Sequence, residues 1–250
     1  MAAVGLAGYA PANLPLPTQD ELPYEDGESM ETQLHFYQIA LLLEALKLYW
    51  IGREDFYAGG DTFIYFSEQQ IKKNDFRGPD FFLVQGVDGS RQRKSWVVWE
   101  EEGKTPDLII ELLSASTAEF DKTEKKQIYC DQVKVQEYFY YDPYSGELAG
   151  FTRQQGQYVP LTPTIGANRQ EKFDSPITGL ALVQWEGTYQ GFTGTWLRWA
   201  KPDGTLLPTD REVAGQERLL KEQERLLKEQ ERLLKEQADA RADQADAWAN

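Results

Sequence analysis

The sequence predicts an α/β (α+β) core carrying a helical heptad-repeat tail, on three observations. Strand-like segments at 61–66 ("DTFIYF"), 79–84, 95–100, 107–113 and 137–142 are interleaved with two helical stretches. The run "DLIIELL" from Asp107 is almost continuously apolar, as expected of a strand covered on both faces. Finally, "QERLLKE" repeats three times from Gln216 with a period of seven, and a seven-residue repeat of good helix formers specifies a long helix.

Taken in order, residues 1–30 read as an arm punctuated by Pro11, Pro15, Pro17 and Pro23 and ending in an acidic stretch. From about Glu31 to Tyr49, Leu34, Ile39, Leu42, Leu43 and Leu46 recur near helical spacing. Four strand segments follow, the second opening at Gly78-Pro79 and the fourth carrying Asp107 and Glu111. A helix is expected over 117–131, with Ser116 or Thr117 at its N-cap. The strand "EYFYYD" stops at Asp142-Pro143, and hairpin-like segments with Gly and Pro turns occupy 147–207. The units are thus 1–30, 31–208 and a tail over 209–250. If Leu219 takes a d position of the heptad, the next a position is Gln223, a polar choice that weakens a coiled coil. The tail is either a self-associating helix or a solvated spacer.

The 250 residues, 41% hydrophobic and 13% aromatic, are enough for one sizeable core. The single Cys130 excludes an internal disulfide framework and suits a reducing compartment. The apolar run from Ile39 is broken by Glu44 and Lys47 and is too short to span a bilayer, so a cytoplasmic protein is expected. The net charge of −15 disfavours a general nucleic-acid binder, which needs clustered Lys and Arg, but leaves room for an enzyme. The three repeats hold six Glu and six Lys or Arg, so the excess acid lies elsewhere.

The chemistry concentrates between Asp80 and Tyr129. On a strand, residues 107, 109 and 111 share a face. Glu111 sits between Ile110 and Leu112, where an unpaired carboxylate is costly to bury and calls for a cation, a metal or a proton. The alternative is a carboxylate at the solvent end of the strand, or one paired to a structural lysine. Asp80 opens a second apolar segment and meets Glu111 if the two strands are neighbours. Such acids repel unless a divalent cation lies between them, and oxygen ligands suit Mg²⁺ or Mn²⁺. Asp121, Lys125 and Tyr129 lie four apart on one helix face. Lys125 either pairs with Asp121 on the helix surface or points back at the acids. Ser114 and Thr117 cap the helix or contact a phosphate. Trp96/Trp99 and Trp196/Trp199 either pack in the core or stack on bases.

The order "GPDFFLV", "PDLIIELLSASTAEFDKTEKKQIY", "VQEYFYYDP" resembles the Uma2 family of endonuclease-like proteins, within the PD-(D/E)XK restriction-endonuclease-like fold, over about residues 18–205. The resemblance implies a mixed sheet flanked by helices and a metal held by acids on adjacent strands. It implies Asp80 as the motif aspartate and Glu111 at the D/E position; Asp107 either helps hold the metal, caps the strand entry or bonds a neighbouring backbone. The motif lysine falls at position 113, which here is Leu113, so Lys125 from the next helix takes its role. His35 and Glu44 on the first helix become supporting groups, with Asp121 and Tyr129.

The expected activity is Mg²⁺- or Mn²⁺-dependent hydrolysis of nucleic acid, DNA above all, by Asp80, Glu111 and Lys125. The rival is a nuclease-fold module that no longer cuts and assembles through its tail into a homo-oligomer. Either way the partners include nucleic acid or a second copy of the chain, and no membrane.

Overall fold

A computed structural model of the chain describes residues 16–24, 32–73, 78–167 and 169–249. Most of the expected arm, 1–15 and 25–30, lies outside the described residues. The first helix, α1 (Gln33–Tyr49), is capped by Thr32, whose side chain accepts from the His35 amide. It buries Ile39, Leu42, Ala45 and Leu46 on one face.

Strands β1 (Phe56–Gly59), β3 (Phe81–Gln85), β5 (Leu108–Leu112), β6 (Glu137–Tyr141), β7 (Leu148–Gln154) and β8 (Gln157–Pro160) form one six-stranded sheet. Their order is β1-β3-β5-β6-β7-β8. The sheet is mixed: β5 and β6 run parallel, and the other neighbours antiparallel. A parallel pair needs a long crossover, and the helix over 118–133 supplies it. A second, antiparallel sheet joins β12 (Phe192–Ala200), β11 (Leu180–Tyr189), β10 (Glu171–Ser175) and β9 (Thr164–Ile165).

Strand β5 is buried at all five positions, as its apolar run requires. Leu108, Ile110 and Leu112 enter a core shared with α1 and with Leu182, Leu197 and Trp199 of the second sheet. Ile109 enters the opposite core, with Phe82, Tyr138, and Tyr129 and Val133 of the crossover helix. Burying a side chain of this size contributes about 1.5–3 kcal/mol, so the two cores fix the alternation of β5. The clamp between α1 and the second sheet is polar as well. The Gln38 amide donates to the Leu197 carbonyl at 2.8 Å and accepts from the Leu197 amide at 2.9 Å.

Two expected strands are shorter than their alternation suggests. The 61–66 segment pairs only as β2 (Ile64–Tyr65), in a two-stranded parallel sheet with β4 (Trp96–Val97). The Gln70 side chain takes the Phe66 and Ser67 amides and so replaces a neighbouring strand. After Val97 the chain turns through a 3₁₀ helix (Val98–Glu100), with the Gly103 amide folded back onto the Val98 carbonyl. Strand β1 lies in "FYAGG", where two glycines hide the strand pattern. Trp96, Trp196 and Trp199 are fully buried, so packing is their role rather than base stacking.

The C-terminal helix (Asp210–Ala249) is anchored at its start. Arg198 holds Glu212 through two hydrogen bonds of 2.9 and 2.7 Å. Thr209 and Glu212 bond reciprocally as a capping box. Residues 214–237 are exposed throughout, including all six repeat leucines. No helix among the described residues is long and apolar enough to cross a membrane.

Candidate active site

The register of β3 and β5 pairs Phe81 with Ile110, which sets Asp80, just before β3, opposite Glu111. The Asp80 carboxylate continues the ladder where the backbone pairing stops, its Oδ2 accepting the Leu112 amide at 2.7 Å. Its backbone is held from behind by the β1–β2 loop. A Cβ on Gly60 would lie 2.6 Å from the Asp80 carbonyl oxygen, so only glycine allows that approach. Asp80 and Glu111 both face the crossover helix, because each lies two residues from a side chain of that core (Phe82 and Ile109).

The crossover helix is not a regular α-helix. Short α segments (Ala118–Phe120 and Lys126–Ile128) alternate with π segments (Asp121–Lys125 and Tyr129–Val133). Such widened turns cluster at functional sites. Thr117 occupies the N-cap without a side-chain cap bond, and Ser114 Oγ instead accepts the Thr117 amide at 3.2 Å. Asp121, Lys125 and Tyr129 face the sheet as a ladder. Lys125 Nζ lies 2.9 Å from Glu111 Oε2 and 3.2 Å from Asp121 Oδ1. The lysine is therefore both the helix-pair cation and the partner of the strand acid. Lys122 turns away to Glu147, and Lys126 lies over the Phe151 ring.

Glu111 is fully buried, and its Oε1 has no hydrogen-bond partner among the described residues. Burial pushes its carboxyl well above the ordinary range, against the pull of Lys125, and the neighbouring Asp80 and Asp121 push further. Burial likewise raises Asp80, opposed by Lys125 and the Leu112 amide. Burial alone would lower the Lys125 ammonium. The attraction of Glu111, Asp121 and Asp80 outweighs it and holds the lysine above its ordinary value. Lys125 is thus charged at neutral pH, which suits a donor rather than a general base. Burial raises the Tyr129 phenol, and the Glu111 carboxylate beside it raises it further.

The other sequence candidates are placed as follows. His35 is buried at the start of α1, within electrostatic reach of Asp80, with Nδ1 2.7 Å from Thr32 Oγ1. Glu44 is not brought to the cluster. Its carboxylate accepts from the Tyr189 hydroxyl and from the Asp210 amide, and so caps the C-terminal helix. Asp107 is not brought there either: four residues along β5 puts it about 13 Å from Glu111. Its Oδ2 accepts the Gln85 amide at 2.7 Å at the other end of the sheet. The strand shares one face, but its length separates the two acids.

Three carboxylates, Asp80, Glu111 and Asp121, thus share one ammonium, and a buried carboxylate oxygen is unpartnered. That donor set fits a divalent cation held by two carboxylates, with water and substrate completing the shell. Among the described residues no three His, Cys, Asp or Glu side chains converge into a full protein cage for a metal.

The family model described as "Uma2: Putative restriction endonuclease" matches residues 13–183. No curated protein sequence matches the chain. Among solved structures, a "putative nuclease belonging to DUF820" from Anabaena variabilis ATCC 29413 is 16% identical, with a TM-score of 0.40, over 60% of this chain and 89% of that one. The family match spans well over half of the chain and includes every residue of the acid–lysine cluster: the chain belongs to the Uma2 family.

Proposed function

We propose that the protein is a metal-dependent endonuclease that hydrolyses phosphodiester bonds of DNA, with its site at Asp80, Glu111 and Lys125. The observation that carries this is the buried Glu111 carboxylate, left with one unpartnered oxygen beside Asp80 and under the Lys125 ammonium. Asp80 and Glu111 would hold Mg²⁺ or Mn²⁺, which when bound polarises a phosphoryl oxygen and lowers the pKa of water. Asp80 is pre-set for this by the Leu112 amide, which fixes the carboxylate beside Glu111. Lys125, kept protonated by three acids, donates to the attacking water or to a phosphate oxygen and offsets charge that grows during in-line displacement. Asp121 holds the ammonium from the helix side, and Tyr129 closes the cluster beneath Glu111.

Purified protein with Mg²⁺ or Mn²⁺ is expected to cut circular or linear DNA, and chelation to stop it. Asp80→Asn is expected to slow cleavage by at least about 100-fold. Equal inertness of wild type and variant across both metals, with no calorimetric Mn²⁺ binding at millimolar metal, would refute the reading.

The exposed leucines support a second role, self-association through the C-terminal helix. Leu219, Leu226 and Leu233 recur every seven residues and are 47–60% exposed. Six such leucines per chain would bury several hundred Å² on each partner, on the order of a standard interface. Light scattering should give a multiple of 28.7 kDa for the full chain. It should give the single-chain mass for the triple variant Leu219→Lys, Leu226→Lys, Leu233→Lys. An unchanged mass would make the helix a solvated spacer.

A further inference from the structure

The elements that carry the acid–lysine cluster end together. Strands β5 and β6 finish where β3 begins, and there the Tyr144 hydroxyl reaches Thr32 at the start of α1 and the Tyr141 hydroxyl donates to the Thr195 carbonyl of β12. This end of the molecule also displays aromatic rings. Tyr144 is 65% exposed, Phe36 53% and Phe192 43%. The Tyr37 ring backs two of them, with centroids 5.6 Å from Phe36 and 5.3 Å from Phe192. Tyr144 stands on the turn after β6, its hydroxyl donating to Thr32 Oγ1 at 3.3 Å and its ring 6.2 Å from that of His35. Tyr144 follows β6, whose last residues Tyr140 and Tyr141 pair with Glu111 and Leu112, so its ring stands at the end of the sheet that carries the cluster.

We propose that Phe36, Tyr144 and Phe192 form a base-stacking platform, so that the site takes nucleic acid with unpaired bases in preference to intact duplex. This rests on reading the site as a phosphodiesterase. A duplex is gripped through its phosphates and hides the faces of its bases. This chain is poorly equipped for that grip. It carries −15 overall, and among the described residues Lys122 is engaged by Glu147 and Lys125 by Glu111 and Asp121. An unpaired strand offers what such a surface can hold, because every base has an apolar face that stacks on an aromatic ring whatever its sequence. Rings fixed from behind lose little freedom on binding. Tyr37 provides that support for Phe36 and Phe192, and the Thr32 hydroxyl provides it for Tyr144.

The test is fluorescence polarisation in EDTA, with a labelled oligothymidine strand and a labelled duplex of the same length as probes. The single strand should bind more tightly than the duplex. Phe36→Ala, Tyr144→Ala and Phe192→Ala should each weaken it roughly tenfold. Tyr49→Ala, an exposed ring at the far end of α1, should leave it unchanged. With few phosphates neutralised, log affinity should fall only shallowly against log salt. Should an alanine variant fail to fold, Phe→Leu at the same position keeps the bulk and removes the stacking face. Equal or tighter binding of duplex, no binding of the single strand, or ring variants that bind like wild type would each overturn the platform. So would a Phe192→Ala variant that changes only the mass of the protein, since the rings would then be a contact between copies. Because chelation removes cleavage from the readout, a chain that binds single strands through these rings yet never cuts would sink the nuclease reading alone. A chain that cuts while the ring variants bind normally would sink the platform alone.

Discussion

Lys125→Met should abolish cleavage and strip the metal-free protein of a large part of its stability at neutral pH. The substitution keeps the volume and removes the ammonium in contact with Glu111 and Asp121. Breaking a buried pair by deleting one partner costs about 3–5 kcal/mol, because the remaining charge stays buried. The pH dependence separates this from a loss of packing. With the lysine gone, Glu111 and Asp80, both already raised by burial, rise further. A carboxyl raised in the folded state favours folding below its unfolded value, and that advantage is lost as pH climbs through the folded value. The deficit of the variant should therefore shrink on acidification towards pH 5 and widen towards pH 8. Chemical denaturation in EDTA at several pH values would show it. Added Mn²⁺ should raise the melting temperature of the variant more than that of wild type, since the cation replaces the missing charge. A deficit independent of both pH and metal would reduce Lys125 to a packing residue. Wild-type cleavage by the variant would remove it from the site.

Glu111→Gln should be the opposite case: inactive, yet less sensitive to rising pH. The amide has nearly the shape of the carboxyl but no charge, so cleavage should fall by at least about 100-fold. In wild type the Glu111 carboxyl is raised well above its ordinary 4.5. It therefore withdraws stability as pH rises above that value, and the glutamine cannot. In EDTA, the denaturation free energy of wild type should decline more steeply with pH than that of the variant, over the range starting near 4.5. Parallel curves would mean that Glu111 does not carry the buried charge. Retained cleavage would move the metal elsewhere.

Much of this cluster was legible because its residues break local rules. A glutamate inside an apolar strand demands a partner, and lysine and aspartate four apart on a helix are necessarily neighbours. The mixed sheet was legible at β3, β5 and β6, whose runs are long and apolar. What escaped depends on contacts distant in sequence. Asp107 shares the face of Glu111, and only the register and the Gln85 amide show that it serves the opposite end of the sheet. Glu44 reads as a helix-surface acid until the Asp210 amide, 166 residues on, arrives to be capped. The π turns have no composition signature. The exposed rings were hidden among many aromatics, most of which are core. The signal that could have found Tyr144 was its place in the "DPYSG" turn directly after a strand of the site.

The Gln38–Leu197 clamp has a consequence during synthesis. Its two ends are 159 residues apart, so α1, the first helix to be made, cannot dock until nearly the whole domain has been translated. At about 5–20 residues per second this delay is roughly 8–30 s. For that time the apolar face of Ile39, Leu42 and Leu46 stays open to any chaperone or neighbouring nascent chain that reaches it before β12 does.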